Sequence, residues 1–156
     1  MNGISNRPRL AWAIADGQPP IEMPKPSTKE KPHGEIVIRS IAMPADTNAN
    51  GDIFGGWLVS QMDLGGAVLA RNLAASRVAT VAIDAMSFVA PVSVGDTVTC
   101  YAELKGIGRT SMKVSVEAWS QHYSGSAERR VTQGVFTYVA IDAGGKPHAV
   151  KRAKRD

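Results

Sequence analysis

The residues best suited to chemistry are a glycine pair, Gly55-Gly56, and an aspartate, Asp63, within one apolar stretch. If a helix starts at the glycines, its unpaired amides can polarise a carbonyl group or hold an anion. Glycine there lets a substrate approach the backbone closely. A carboxylate such as Asp63 can activate water as a general base, or can attack as a nucleophile and form an anhydride. These residues are therefore the candidates for attack on a polarised carbonyl group.

The spacing of these residues decides how they could cooperate. Eight residues separate Gly55 from Asp63, which is about 12 Å along a helix that rises about 1.5 Å per residue. One small reacting group cannot touch both within a single chain. Two such helices lying antiparallel across a dimer axis would place the amide of one chain opposite the Asp63 of the other. This geometry predicts a site shared between subunits.

Both features also have structural interpretations that the sequence leaves open. Asp63 could be a hydrogen-bonded core carboxylate that fixes helix packing, because buried charges are sometimes retained for specificity. The pair Gly55-Gly56 could simply allow close packing of the helix on a sheet. Only the surroundings of these residues can separate the two interpretations.

The element that carries them is the apolar stretch 51–75, which is predicted to form one long helix beginning near residues 53–55. Asp52 or Asn50 is predicted to cap it, since short oxygen-bearing side chains accept hydrogen bonds from first-turn amides. Between residues 53 and 75 the only charged residues are Asp63 and Arg71. A helix that is apolar on nearly every face is normally wrapped by other elements. We therefore expect this helix, including Asp63, to be buried.

Five strands are predicted around this helix. One precedes it at residues 35–42, and four follow, joined by tight turns, at residues 79–90, 97–107, 110–119 and 131–141. Apolar residues alternate with polar ones in 110–119, which is typical of a half-buried antiparallel strand. The order predicts an α+β arrangement in which a sheet covers one side of the helix. A second subunit related by a two-fold axis is expected to cover the other side.

Composition and charge restrict the class of protein. Of 156 residues, 44% are hydrophobic, which is enough for one globular core. The net charge of +4 lies in the ends, because residues 35–148 carry nine basic and ten acidic side chains. A nucleic-acid surface needs clustered basic charge, so no nucleic-acid partner is predicted. No window approaches the roughly 18 apolar residues of a membrane span, and the first residues lack the pattern of a signal peptide.

The chain is predicted to divide into a flexible proline-rich leader at residues 1–34, one domain at 35–148 and a basic tail at 149–156. The single cysteine, Cys100, cannot form an internal disulfide, which favours a cytoplasmic protein. Its apolar neighbours at alternate positions predict a small buried core residue rather than a nucleophile.

The sequence lacks the motifs of serine hydrolases, metal sites and dinucleotide-binding sites. No serine lies in a GxSxG elbow between a strand and a helix. The three histidines show no metal-ligand spacing, so no metal site is predicted. The segment Gly106-Ile107-Gly108 lacks the third glycine of a dinucleotide fingerprint and leads into a strand.

At residues 44–63 the sequence PADTNANGDIFGGWLVSQMD resembles the YciA-type acyl-CoA thioesterases of the hotdog-fold superfamily. Further matching motifs follow in the same order at residues 81–88, 91–96 and 108–111, and the resemblance spans residues 35–145. It implies a curved antiparallel sheet wrapped around one long central helix. It also implies a homodimer, often assembled as a homohexamer (a trimer of dimers), and hydrolysis of acyl-CoA to free acid and CoA. No cofactor is implied, since CoA is a product and ligand.

The resemblance also implies roles for individual residues. Asp63 would be the catalytic aspartate, and the Gly55 amide, with Gly56 beside it, would polarise the thioester carbonyl. Asn48, in the loop before the helix, would contribute to the site.

The segment from Gly108 to Ser111 resembles the part of these enzymes that lies along CoA. The guanidinium of Arg109 would pair with phosphate, and Thr110 and Ser111 would donate hydrogen bonds. An ordinary turn residue is the structural alternative for Arg109.

The expected function is therefore acyl-CoA hydrolysis. A non-catalytic module that binds acyl-CoA or an acyl carrier is the main alternative, because a fold does not determine function. A hotdog dehydratase is a weaker one, since it would need a histidine near the helix and the sequence has none there.

Overall fold

The computed structural model describes residues 30–151. These residues form one α-helix and five strands, with a short 3-10 turn at Pro44–Asp46. The elements in chain order are β1 (Glu35–Ile41), α1 (Gly55–Ala74), β2 (Arg77–Ile83), β3 (Thr97–Ile107), β4 (Ser111–Gln121) and β5 (Arg129–Ile141).

The strands form a single sheet in the order β1-β3-β4-β5-β2, and every neighbouring pair is antiparallel. The sheet curls around α1, which contacts all five strands. The core lies between the concave face of the sheet and one side of the helix. The α+β hotdog arrangement expected from the sequence is therefore confirmed.

The helix begins at Gly55, within the start predicted near residues 53–55. Its N-cap is Phe54, which makes no side-chain capping bond, so the predicted caps Asp52 and Asn50 are wrong. The loop before the helix is instead held by backbone bonds, including Phe54 N to the Asp46 carbonyl at 2.9 Å. At the other end, Ala75 adopts the left-handed conformation that commonly terminates helices.

Burial of the helix is one-sided within this chain. The side that faces the sheet is buried, and its buried residues are Leu58, Met62, Gly65, Gly66, Ala70 and Ala74. On the opposite side Leu64 is 57% exposed and Val68 is 44% exposed. The sheet therefore reaches only one side of α1, as the single predicted layer implied, and the other side is exposed in the single chain. A large apolar surface remains for another partner.

The predicted strand at 79–90 is the least accurate assignment. Strand β2 begins earlier, at Arg77, and ends at Ile83. The rest forms an irregular segment that follows β5 through isolated contacts, such as the Asp84 amide to the Val135 carbonyl at 2.9 Å. The connection 84–96 is therefore not a tight turn. Apolar residues of this segment pack beside β5. Hydrophobic periodicity alone does not distinguish such a segment from a strand.

The outer face of β4 also differs from the expected half-buried strand. Ser115 and Glu117 point away from the helix, yet both are buried. The Glu117 carboxylate accepts hydrogen bonds from Trp119 Nε1 at 2.7 Å, and its Oε1 lies 2.9 Å from His33 Nδ1. Residues preceding β1 thus cover part of the convex face. Polar side chains at alternate positions predicted a solvent-facing side there, but a long-range contact decides the burial of these side chains.

Cys100 lies in the core and has no exposed surface. Burial raises the pKa of its thiol to about 12, because the thiolate cannot be solvated there. The expectation of a small core residue is confirmed.

At the chain ends, Glu30 pairs with Arg130 at 3.0 Å, and Val150 is buried. The leader and tail predictions otherwise concern residues 1–29 and 152–156, which lie outside the described part of the chain. No helix within residues 30–151 is long and apolar enough to cross a membrane.

Candidate active site

Asp63 is half-buried and is held by two side chains from the sheet. Its Oδ1 accepts a hydrogen bond from Thr80 Oγ1 at 2.7 Å and lies 3.1 Å from the Tyr138 hydroxyl. The Tyr138 hydroxyl also donates to the Asp63 main-chain carbonyl at 2.9 Å. Oδ2 makes no hydrogen bond with any described residue. One carboxylate oxygen is therefore anchored, and the other is left for water or a substrate.

Thr80 and Tyr138 are site residues that the sequence did not reveal. They are register partners on β2 and β5, and they lie 17 and 75 residues from Asp63 along the chain. One weak signal was present: Tyr138 occupies the same inward-facing register as Phe136 and Ala140, where a hydroxyl needs a partner. Nothing in the sequence identified Asp63 as that partner.

The hydroxyl of Tyr138 remains protonated over the working pH range of an enzyme. Burial is the main cause that raises its pKa, and the negative charge of Asp63 and the hydrogen bond to that carboxylate raise the pKa further. Tyr138 is therefore a permanent donor toward the carboxylate rather than a group that exchanges protons.

The start of α1 has free amides, as predicted. The backbone N–H groups of Gly55 and Gly56 have no acceptor among the described residues. A side chain at Gly55 would only touch the ring of Phe88, at 3.4 Å, and one at Gly56 would meet nothing within 4 Å. Close helix–sheet packing thus does not require glycine at Gly56. The open space leaves room for another molecule to approach the amides.

Asp63 and the helix start do not come together within one chain. They lie on the same helix, Gly55–Ala74, about 12 Å apart at the usual helical rise. A thioester group cannot bridge that distance. A site that used both groups on one thioester would need a second copy of the helix.

Asn48 has a clear structural function in the loop before α1. Its Oδ1 accepts from the backbone amides of Asn50, at 2.9 Å, and Asp52, at 3.2 Å. The backbone N–H of Asn48 donates to the Asp52 carbonyl at 2.7 Å. The side-chain NH₂ has no acceptor among the described residues, so it remains available as a donor.

The segment from Gly108 to Ser111 forms the turn between β3 and β4. The Gly108 amide donates to the Ser111 carbonyl at 2.8 Å. Arg109 is exposed and forms no salt bridge with a described residue. Its carbonyl accepts from the Val150 amide at 2.9 Å, which attaches the end of the described chain to this turn. The guanidinium is therefore free to meet an anionic group.

The chemistry available at the helix is that of one carboxylate and two amides. No group of three or more His, Cys, Asp or Glu side chains suited to a metal ion occurs in residues 30–151. The carboxylate can accept a proton from water or attack a carbonyl carbon, and the amides can bind an oxyanion. Together these groups match acyl transfer to water.

Comparison with known proteins gives consistent results. The pattern of the "Thioesterase superfamily" matches residues 50–124. The acyl-CoA thioester hydrolase YciA of Escherichia coli (strain K12) is 49% identical over 127 residues, which cover 80% of this chain and 96% of that protein.

Solved structures agree with this. The hexameric thioesterase y2039 from Yersinia pestis has a TM-score of 0.76 and 53% identity, covering 79% of this chain and 100% of that one. HI0827, a hexameric broad specificity acyl-coenzyme A thioesterase, has a TM-score of 0.76 and 46% identity, covering 80% of this chain and 86% of that one. This chain belongs to the YciA-type acyl-CoA thioester hydrolases of the thioesterase superfamily.

Proposed function

We propose that this protein hydrolyses acyl-CoA thioesters to a free carboxylic acid and CoA. The observation that carries the proposal is the environment of Asp63, in which two donors hold Oδ1 while Oδ2 has no partner within residues 30–151. A carboxylate that served only to fix helix packing would have no need of a free oxygen. Half of the aligned residues are shared with an acyl-CoA thioester hydrolase over nearly its full length, which supports the same activity here.

In the proposed mechanism, Asp63 accepts a proton from water, and the hydroxide attacks the thioester carbonyl carbon. The Gly55 amide of the partner subunit stabilises the oxyanion that develops on the carbonyl oxygen. The carbon–sulfur bond then breaks, and the CoA thiolate leaves and takes up a proton. In the alternative course, Asp63 attacks directly and water hydrolyses the resulting anhydride. After one turnover in ¹⁸O water, label in the Asp63 carboxylate establishes direct attack with hydrolysis of the anhydride at the Asp63 carboxyl carbon, because general-base catalysis places the label only in the product acid.

The assembly we propose is a homodimer formed through the exposed side of α1. Leu64 and Val68 project there, and Val81 and Ile83 are exposed on the neighbouring edge strand β2. An apolar helix face beside an unpaired strand edge is a surface that a second copy can cover. The two comparison structures are described as hexameric, so three dimers per particle is the proposed arrangement. Cys100, buried and reduced, is compatible with a cytoplasmic location.

Replacing Leu64 with arginine tests this interface. The residue is 57% exposed in the single chain, so a folded monomer tolerates the change, whereas a dimer would have to bury an unpaired charge. We expect the variant to sediment as a smaller species than the wild-type protein with an unchanged circular dichroism spectrum. Tyr123→Arg, at a residue that is 79% exposed away from the helix, is the matched control. Equal assembly of both variants would contradict the interface.

The turn from Gly108 to Ser111 is proposed to contact the CoA nucleotide through Arg109. Removing the guanidinium in Arg109→Ala should raise KM for acyl-CoA about tenfold, the scale of one charge-assisted hydrogen bond. A thioester of N-acetylcysteamine has no phosphate, so its KM should stay unchanged. Lys105→Ala is the matched control, because Lys105 is already paired with Glu103 at 2.8 Å. Equal increases for both substrates would contradict a phosphate contact.

The activity itself is tested with acetyl-, butyryl- and longer acyl-CoA. Release of free thiol is measured with a chromogenic thiol reagent. The Cys100 thiol contributes no background in the folded protein, because it is buried and its pKa is raised to about 12. Thiol release that saturates with substrate supports the enzyme. Saturable binding of acyl-CoA without thiol release would instead establish the non-catalytic binding module.

A further inference from the structure

We infer that Tyr138 is a positioning residue for Asp63, and that Gly66 is a glycine because the hydroxyl of Tyr138 occupies the space beside it. The inference rests on the proposed catalytic function of Asp63. It adds Tyr138 on β5 and Gly66 on α1 to the residues that determine the geometry of the site.

The hydroxyl of Tyr138 contacts both the main chain and the side chain of the same residue. It lies 2.9 Å from the Asp63 carbonyl oxygen and 3.1 Å from Oδ1. A single proton shared between these two acceptors ties the carboxylate to its own backbone and so restricts its side-chain rotation. Thr80, bonded only to Oδ1 at 2.7 Å, does not contact the backbone. Tyr138 therefore limits the direction in which the free Oδ2 can point.

Tyr138 can hold this position because its ring is packed on all sides in the core. The residue has no exposed surface, and its ring lies nearly parallel to that of Phe136, with centroids 6.4 Å apart and planes 12° apart. It is paired with Met112 on β4 and Thr80 on β2. A donor on a rigid strand between two neighbours provides the pre-organised support that an accurate site requires.

Gly66 lies one helical turn after Asp63 and faces the same hydroxyl. A Cβ built there would lie 2.3 Å from the Tyr138 oxygen and 3.1 Å from its Cζ. The oxygen is thus the main obstacle to a side chain, and the ring is a much smaller one. Any larger residue would push the hydroxyl away from Asp63. Glycine inside a helix is less stable than alanine, and the close approach of the phenol explains its presence here.

The simplest competing explanation is that Asp63 merely satisfies a buried tyrosine. The Asp63 main-chain carbonyl alone would be enough for that purpose, since it is the nearer acceptor, at 2.9 Å. The two explanations differ in what removal of the hydroxyl does. If Tyr138 positions Asp63, removing the hydroxyl lowers the rate of the chemical step. If the bond is only structural, removing the hydroxyl changes stability and leaves the rate of the folded enzyme unaltered.

The test compares Tyr138→Phe with a matched control in the intact protein. Tyr101→Phe removes another tyrosine–carboxylate bond, to Glu128 at 2.9 Å on the outer side of the sheet. We expect Tyr138→Phe to lower kcat for acyl-CoA about tenfold, with KM changed less than about twofold. Tyr101→Phe should leave both constants unchanged. A folded Tyr138→Phe enzyme with wild-type kcat would overturn the inference.

A double-mutant cycle supplies a second, independent measurement. Gly66→Ala should lower kcat in the wild-type background because its methyl group displaces the hydroxyl. In the Tyr138→Phe background the nearest atom is the ring, at 3.1 Å, so the same change should cost clearly less. Such non-additivity is the signature of contacting residues. Additive effects would overturn the spatial argument, even if Tyr138→Phe alone were unstable.

The two levels of proposal fail in different ways. If the wild-type protein releases no thiol, the proposed function is wrong and these variants have no rate to lose. If Asp63→Ala retains turnover, hydrolysis stands but the proposed role of Asp63 is wrong, and the positioning role of Tyr138 is wrong with it. If Asp63→Ala is inactive while Tyr138→Phe turns over normally, only the positioning role is wrong.

Discussion

Asp63→Ala is expected to reduce kcat for acyl-CoA at least a hundredfold while the protein stays folded. A positioned base typically contributes about 10²- to 10⁴-fold, and a nucleophile contributes no less. Folding should survive because Tyr138 keeps its nearer acceptor, the Asp63 main-chain carbonyl at 2.9 Å. The measurement is kcat under saturating substrate, together with the thermal midpoint of unfolding.

Asp63→Asn is a second, nearly isosteric test of the same role. The amide keeps the volume and an oxygen that can accept from Thr80, whose hydroxyl lies 2.7 Å from Oδ1, but it cannot remove a proton from water. Both variants should therefore be inactive. Near-normal hydrolysis by either folded variant would remove Asp63 from the mechanism and leave it as a packing residue.

Gly55→Pro is expected to lower kcat by about 10²- to 10³-fold, the usual loss when one oxyanion donor is removed. Proline deletes the backbone N–H, yet it is well tolerated at the first position of a helix. The preceding residue, Phe54, already has φ −56° and ψ 133°, which is the conformation that a following proline requires. The substitution thus removes one donor with little disturbance of α1. Gly55→Ala, which keeps the N–H and would only touch Phe88 at 3.4 Å, should retain far more activity.

Mixing the two inactive chains tests whether the site is shared. Co-expressed Asp63→Ala and Gly55→Pro subunits form mixed dimers in which one site carries both lesions and the other carries none. Random pairing makes half of the dimers mixed, so about a quarter of wild-type activity should return. If each site belonged to one chain, every site would carry a lesion. An inactive mixture, with mixed dimers shown to be present, would therefore contradict the shared site.

The sequence by itself determined the main elements of the fold. The amphipathic alternation in β4 and the β-branched residues of β3 and β5 predicted strands close to the observed Ser111–Gln121, Thr97–Ile107 and Arg129–Ile141. These predictions succeeded because strand and helix periodicity are local properties of the chain. The strand prediction for residues 84–90 failed for the converse reason, since the apolar residues there pack beside β5 rather than following a strand period.

The candidate site likewise contains residues that the sequence predicted and residues that it did not. Asp63 and the glycine pair could be found in the sequence, because a lone carboxylate and a Gly-Gly step are conspicuous in an apolar helix. Thr80 and Tyr138 could not, since their contact with Asp63 spans 17 and 75 residues and exists only when β2 and β5 lie side by side. The sequence thus determined which groups can react. The tertiary structure decided which carboxylate oxygen is held and which is free, because only the curled sheet brings two hydroxyl donors to one side of a helical aspartate.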